Sequence, residues 1–233
     1  MPAVAGPPLH PWAVTPEEAI AWQRRLAPRV ERENRLGEVR RVGGVDVGFP
    51  RALDPGGETA RAAIAVLSFP DLEVLEVARA TAPVTFPYVP GLLSFREAPA
   101  ILAAYEQLQA APDLLIFDGQ GIAHGRRCGI ASHVGLWLDT PSLGSAKSIL
   151  VGRHGPLGEE AGATAEMVHR GEVVGAAVRT RTGVQPVYVS VGHRLDLQTA
   201  VRFVLQTARR YRLPEPQRRA HLAASGSGGS DLG

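Results

Sequence analysis

The chain has 233 residues and carries 25 Lys+Arg against 23 Asp+Glu, a formal net charge of +2 at pH 7, which by itself designates no nucleic-acid partner. Hydrophobic residues make up 45%, enough for a sizeable core, so a wholly disordered chain is excluded. Apolar runs fall short of the ~18 residues of a membrane span, no secretory signal is expected, and the single cysteine, Cys128, fits a reducing cytoplasm.

In chain order, residues 1–12 read as an irregular lead-in. Thr15-Pro16-Glu17-Glu18 reads as a helix start with a capping box, followed by Ala19, Trp22, Leu26 and Val30 at helical spacing. Val42–Phe49 predicts a strand with Asp46 facing opposite to Val45 and Val47. Arg61–Phe69 and Leu72–Ala80, joined through Pro70-Asp71, predict two more strands and an antiparallel meander. A helix follows from about Glu97 to Ala110, with Pro99 in its first turn. Leu114–Phe117 reads as a buried parallel strand that stops at Asp118-Gly119-Gln120-Gly121. Ala131–Leu138 is helical, and Glu172–Arg179 with Pro186–Val191 forms a hairpin about Thr182-Gly183. Asp196 caps a last helix with Leu197, Val201, Val204 and Ala208 on its core face, ended by Pro214 and Pro216. Strands first, then alternating helices and strands, make one α/β domain over 13–223, with a flexible Gly/Ser tail over 224–233.

Several familiar motifs fail. Gly119-x-Gly121 has His124 where a dinucleotide loop needs its third glycine, and Gly144-Ser145-Ala146-Lys147-Ser148 has Ala146 where a phosphate loop needs one. Cys128 near His124 and His133 reads as a small buried hydrophobe, and no zinc spacing exists. Three carboxylates remain. Asp46 sits inside a strand, Asp118 at the tip of another, and Glu97 between them in sequence. If the two strands are neighbours, Asp46 and Asp118 meet, and a divalent ion relieves their repulsion. Two such ions can activate water and stabilise the leaving oxygen of a phosphodiester. Glu97, three residues after Ser94, also suits a capping box, and Asp118 also suits a simple turn at Gly119.

These residues lie in strings that resemble the endonuclease V (deoxyinosine 3′-endonuclease) family: Val45-Asp46-Val47-Gly48-Phe49, the run Pro87-Tyr88-Val89-Pro90-Gly91-Leu92-Leu93-Ser94-Phe95-Arg96-Glu97, Asp118 to His124, Gly129 to His133, Gly192-His193-Arg194 and Tyr211 to Pro216. They span about residues 40–221 in the family's order. The resemblance implies a ribonuclease-H-like fold, a mixed central sheet flanked by helices. It also implies Mg²⁺-dependent cleavage (Mn²⁺ substituting) of the second phosphodiester 3′ to a hypoxanthine base, leaving 3′-OH and 5′-phosphate ends. By that resemblance Asp46, Glu97 and Asp118 are the catalytic, metal-binding carboxylates, and His221 is a fourth residue of the metal site. On its own, His221 after Arg218-Arg219 reads as a solvated residue.

Tyr88 matches the family's wedge, and Gly91, Leu93, Gly119, Gly129 and Ile130 match its base pocket, with Gly121 in the same loop. His124 matches a residue near the scissile bond. Lys147 matches a phosphate-contacting lysine, and it is the only lysine among the 25 basic residues. A wedge ring recovers part of the cost of unstacking a base read by its edge. Gly125 stands where the family has proline, and Ser145 where it has an apolar residue. Arg202, Arg209, Arg210, Arg212, Arg218 and Arg219 offer a sequence-blind phosphate footprint or a solvated face. The resulting expectation is a cytoplasmic, monomeric enzyme of DNA repair without a membrane partner. Its rivals are the same chemistry on inosine in RNA and a non-catalytic binder of deaminated nucleic acid.

Overall fold

Alternating apolar stretches and turn residues build a nine-stranded sheet, described by a computed structural model over residues 7–50 and 58–225. Strands β1 (Arg41–Gly48), β2 (Thr59–Ser68) and β3 (Val74–Pro83) form the antiparallel meander that their sequences predict. The fully buried β4 (Leu114–Phe117) lies parallel to β1, with Val45 opposite Phe117, and β5 (Ser142–Ala146) lies parallel to β4. Beyond β5 the sheet runs antiparallel through β9 (Val187–His193), β8 (Glu172–Val178), β7 (Thr164–His169) and the short β6 (Arg153–His154). The order is therefore β3-β2-β1-β4-β5-β9-β8-β7-β6, whose first five strands give the ribonuclease-H-like arrangement.

Period-two alternation splits the core into two layers. On one face, helices α2 (Leu93–Tyr105) and α3 (Ile130–Leu138) pack Ile101, Tyr105, Val134 and Trp137 onto Val45, Ile64, Leu115 and Phe117. On the other face, α4 (Leu197–Thr207) sets Phe203 and Val204 against Val42, Leu114, Ile116 and Leu143. Helix α5 (Glu215–Ala224) covers β1 and β2 on that same face, placing Ala220, Ala223 and Ala224 against Ala63, Ala65 and Leu67. The Asp196 carboxylate caps α4 by accepting from the Thr199 amide at 2.6 Å. At α1 (Pro16–Leu26), the Thr15 hydroxyl accepts from the Glu18 amide at 3.3 Å and the Glu18 carboxylate accepts from the Thr15 amide at 2.8 Å. Caps of this kind contribute about 1 kcal/mol each.

Several local features differ from the sequence expectation. Helix α2 starts at Leu93 and ends at Tyr105, so Pro99 lies inside it and Glu97 sits more than a turn from its start. Ser94 does not form a capping box with Glu97; its hydroxyl bonds His133 Nδ1 at 2.8 Å. Strands β5, β6 and β7 arise from segments without a strand pattern, and Pro214 and Pro216 open α5 instead of only closing α4. Of the lead-in, residues 1–6 lie outside the described residues, and 7–12 form no helix or strand yet contribute to the core. His10 is 4% exposed and packs among Trp12, Trp22, Phe95 and Trp137. At the other end, α5 runs to Ala224, past the expected boundary at 223, and the rest of the Gly/Ser tail, 226–233, lies outside the described residues. No helix among the described residues is long and apolar enough to cross a membrane.

Candidate active site

Parallel pairing of β1 and β4 brings the first two carboxylates together. The Asp118 amide donates to the Val45 carbonyl at 3.0 Å, so Asp118 sits beside Asp46 at adjoining strand ends. A third group arrives because β1 is bare on one face. Gly44 and Gly48 flank Asp46 at period-two spacing, and α5 presses directly on them. A Cβ at Gly44 would lie 2.0 Å from the Pro216 carbonyl carbon, and one at Gly48 would lie 2.8 Å from the Ala224 oxygen. That close approach sets His221 Nδ1 at 2.6 Å from Asp46 Oδ2. Asp46, Asp118 and His221 thus each offer a ligand atom, all within 4.8 Å of one another.

Glu97 stands outside that tight group, on α2. It is 7% exposed, and its pKa is pushed up to about 8 by burial first, then by the charges of Asp46 and Asp118, against the pull of Arg96. Asp46 is also raised, by burial and then by Asp118, with His221 opposing. The sole lysine answers the charge excess: Lys147 Nζ lies 2.5 Å from Asp118 Oδ2. Carboxylates gathered so closely that Asp46 and Glu97 gain proton affinity, with an imidazole and an ammonium drawn onto them, fit a divalent cation. Asp46, Asp118 and His221 are the residues that would hold it.

Beside Asp118 opens a cavity of about 450 Å³, within the range of about 300–1,000 Å³ usual for small-molecule sites. Its lining includes, besides Asp118 itself, eight of the residues singled out from the sequence: Tyr88, Gly91, Leu93, Gly119, His124, Gly129, Ile130 and Lys147. Tyr88 stands 72% exposed between Pro87 and Pro90, at the mouth. Gly91 has φ +79°, a conformation that favours glycine, and its carbonyl is gripped from inside the protein.

Gly121 is not part of the lining. A Cβ there would sit 1.9 Å from the Val191 carbonyl oxygen, and its amide donates to Ser190 Oγ at 2.8 Å, so it packs the loop against β9. His124 is 3% exposed and held neutral by burial, its pKa pushed down to about 4. Its Nδ1 accepts from the Arg126 amide at 3.1 Å while Nε2 donates to the Gly91 carbonyl at 2.9 Å, so both ring nitrogens serve the cavity wall.

Sequence reasoning passed over Gln23, Gln120 and Ser94, which also line the cavity, and the apolar rim of Ile149 and Leu150. Gln120 lies inside the Asp118–His124 string and was within reach; Gln23, in an ordinary helix, carries no local signal. Of the arginines toward the carboxyl end, Arg209 donates to the carbonyls of Pro70 and Asp71, Arg212 to those of Lys147 and Pro186, and Arg218 and Arg219 both pair with Glu215. These four are committed within the fold.

A carboxylate–imidazole cluster at the strand tips of a ribonuclease-H-like sheet, next to a cavity with an exposed aromatic at its mouth, defines a nuclease that hydrolyses phosphodiester bonds. Comparisons make the assignment specific. The family model Endonuclease V matches residues 24–222. The Endonuclease V of Gloeobacter violaceus is 56% identical over 218 residues, covering 91% of this chain and 86% of that protein. The Endonuclease V of Trichormus variabilis is 51% identical over 217 residues, covering 93% and 96%. The crystal structure of Endonuclease V from Streptomyces avermitilis superposes with a TM-score of 0.86 at 41% identity, covering 93% of this chain and 94% of that one. Endonuclease V from Ciona intestinalis, solved with a 23mer DNA containing an inosine followed by a ribo-adenosine, is 27% identical with a TM-score of 0.79, covering 92% and 98%. The chain belongs to the Endonuclease V family.

Proposed function

We propose that this chain is a Mg²⁺-dependent endonuclease (Mn²⁺ substituting) that recognises deoxyinosine in DNA and breaks the second phosphodiester bond on its 3′ side. The supporting observation is the convergence of Asp46, Asp118 and His221 within 4.8 Å, beside a cavity fronted by Tyr88. The reaction adds water across the bond: the water oxygen stays on phosphorus as a 5′-phosphate, and the O3′ leaving group takes a proton to become 3′-OH. When bound, the divalent ion supplies positive charge for the phosphate oxygens and lowers the proton affinity of the attacking water.

This chain's residues do the rest. Asp46, Asp118 and His221 hold the ion. Glu97, a buried carboxyl whose proton affinity is raised by burial and by Asp46 and Asp118, would give up its proton as the cation binds and add its negative charge to the site. Lys147, already at the cluster, exchanges its bond with Asp118 for a phosphate oxygen. Tyr88 fills the gap left by the extruded base, and the cavity of about 450 Å³ takes the base between Gly91, Gly119 and Ile130. The single buried cysteine fits a reducing cytoplasm.

One cleavage assay tests this reading. Duplexes with a single deoxyinosine, matched undamaged duplexes and inosine-containing RNA are incubated with Mg²⁺, and products are mapped to the nucleotide. Cutting confined to the inosine DNA, one nucleotide beyond the base, is expected. Intact inosine DNA beside a folded protein overturns it, and preferential cutting of the RNA moves the substrate to RNA, a comparison sharpened by the ribo-adenosine in the Ciona complex.

A further inference from the structure

Gln23, on the inward side of α1, is 1% exposed and lies one residue ahead of the family match, which begins at 24. Its carboxamide joins the two walls of the base cavity. Nε2 donates to the Gly91 carbonyl at 3.0 Å and to the Cys128 carbonyl at 3.0 Å. Oε1 accepts from Arg126 Nε at 2.5 Å. Gly91 closes the segment that carries Tyr88, and Cys128 leads into Gly129 and Ile130 on the opposite wall.

The Gly91 carbonyl takes two further donors, Arg126 Nη2 at 2.8 Å and His124 Nε2 at 2.9 Å. Three donors on one oxygen over-determine the position of that peptide. The space behind it is closed as well: a Cβ at Gly91 would meet Arg126 Nη2 at 2.9 Å. Both amide hydrogens of Gln23 are spent on carbonyls, one on each wall, so the side chain acts on the base only through the walls.

We infer that Gln23 is a positioning residue for base selection, its carboxamide setting the separation between the Tyr88–Gly91 and Cys128–Ile130 segments. The inference rests on the proposed function and deepens it. Main-chain groups that read a purine edge discriminate only if their spacing is held, because misplacement by about 1 Å costs roughly 10²-fold. Without the clamp the walls separate, and the cavity admits adenine and guanine as well as hypoxanthine.

The test compares wild type with Gln23→Met, which keeps side-chain length and removes all three bonds, and with Arg126→Met, which leaves Gln23 in place. Each is assayed with Mg²⁺ on duplexes differing only in deoxyinosine, deoxyadenosine or deoxyguanosine. For Gln23→Met we expect KM on the inosine duplex to rise about tenfold, kcat to change less, and the inosine-to-adenosine ratio of kcat/KM to fall at least tenfold. Arg126→Met is expected to shift the same ratio in the same direction by a smaller factor, and it carries the test alone if Gln23→Met does not fold. A variant that melts at a lower temperature with KM and selectivity unchanged overturns the inference, because Gln23 is then only a packing residue. A wild type that leaves the inosine duplex intact overturns the proposed function itself; a selective wild type beside equally selective variants overturns only the clamp.

Discussion

At the tips of β1 and β4 acidic groups outnumber their partners, whereas a few residues away, along the cavity wall, the Gly91 carbonyl has more donors than it needs. Asp46, Asp118 and Glu97 face each other with one lysine and one imidazole between them, and burial lifts the proton affinity of Asp46 and Glu97. Gln23, His124 and Arg126 instead each donate to the Gly91 carbonyl, and Arg126 and Gln23 are also bonded to each other. The difference teaches which half is chemical and which is geometrical. A cluster with unbalanced charge is arranged to gain a cation. A wall whose central peptide is fixed by three donors is arranged to keep its shape.

Breaking the charged half should have the largest effect. Asp118→Ala removes one of the three clustered ligand atoms proposed to hold the ion and frees Lys147, and turnover of inosine DNA should fall by at least about 10³-fold, the upper range for losing one stabilising donor in other hydrolases. Binding of the same duplex, followed by fluorescence anisotropy, should survive. Undiminished cutting would remove Asp118 from the mechanism. On the geometrical half, Tyr88→Ala deletes a ring that is 72% exposed and makes no contribution to the core. Stacking against a base contributes roughly 1–3 kcal/mol, so selectivity for inosine over undamaged DNA should fall about 5- to 150-fold with metal affinity unchanged. Equal selectivity would end the wedge assignment.

The seam between β1 and α5 links fold to site. Gly44→Ala places a methyl 2.0 Å from the Pro216 carbonyl carbon, so α5 must shift and carry His221 away from Asp46. Overpacking of this kind costs about 1–3 kcal/mol, visible as a lower Tm together with reduced turnover. Wild-type Tm and rate in the variant would show that the seam does not position His221.

Why this seam escaped sequence reasoning is physical. Asp46 was legible because a charge interrupts an apolar strand, and Asp118 because an apolar run stops on it. The capping box at Thr15 and Glu18 and the cap at Asp196 also announced their helices. Helix α5, Glu-Pro-Gln-Arg-Arg-Ala-His-Leu-Ala-Ala, has only small apolar residues to bury, so its face is weak by itself. It is held by a complementary groove far away in sequence, made by the absence of side chains at Gly44 and Gly48. Strand β5, Ser-Leu-Gly-Ser-Ala, is fully buried but small and polar, and its ladder bonds with β4 and β9 make it a strand. Glu97 was grouped with the two aspartates before any resemblance was drawn, whereas His221 was reached through family resemblance alone.

A smaller effect should appear with acid. His10 Nδ1 donates to the Pro11 carbonyl at 2.8 Å, His133 Nε2 lies 2.6 Å from His10 Nε2, and Ser94 Oγ donates to His133 Nδ1. Burial pushes the His133 pKa from 6.5 down to about 3 and lowers that of His10. Below pH 6.5 the unfolded chain therefore takes up protons on these rings that the folded protein does not. Their contribution to stability is full above that pH and declines as pH falls toward 3, with a slope of at most about 1.4 kcal/mol per pH unit for each ring. Urea midpoints at pH 7, 6 and 5 should fall more steeply for wild type than for His133→Leu; parallel profiles would contradict the neutral pair.

The most direct measurement is titration of the whole protein with Mn²⁺ by calorimetry, beside Asp46→Asn and Asp118→Asn. The account predicts binding by the wild type and a loss in either variant beyond the roughly 10–100-fold that disturbing an outer-sphere partner costs. Equal affinity in all three proteins would contradict a metal centre built from Asp46, Asp118 and His221.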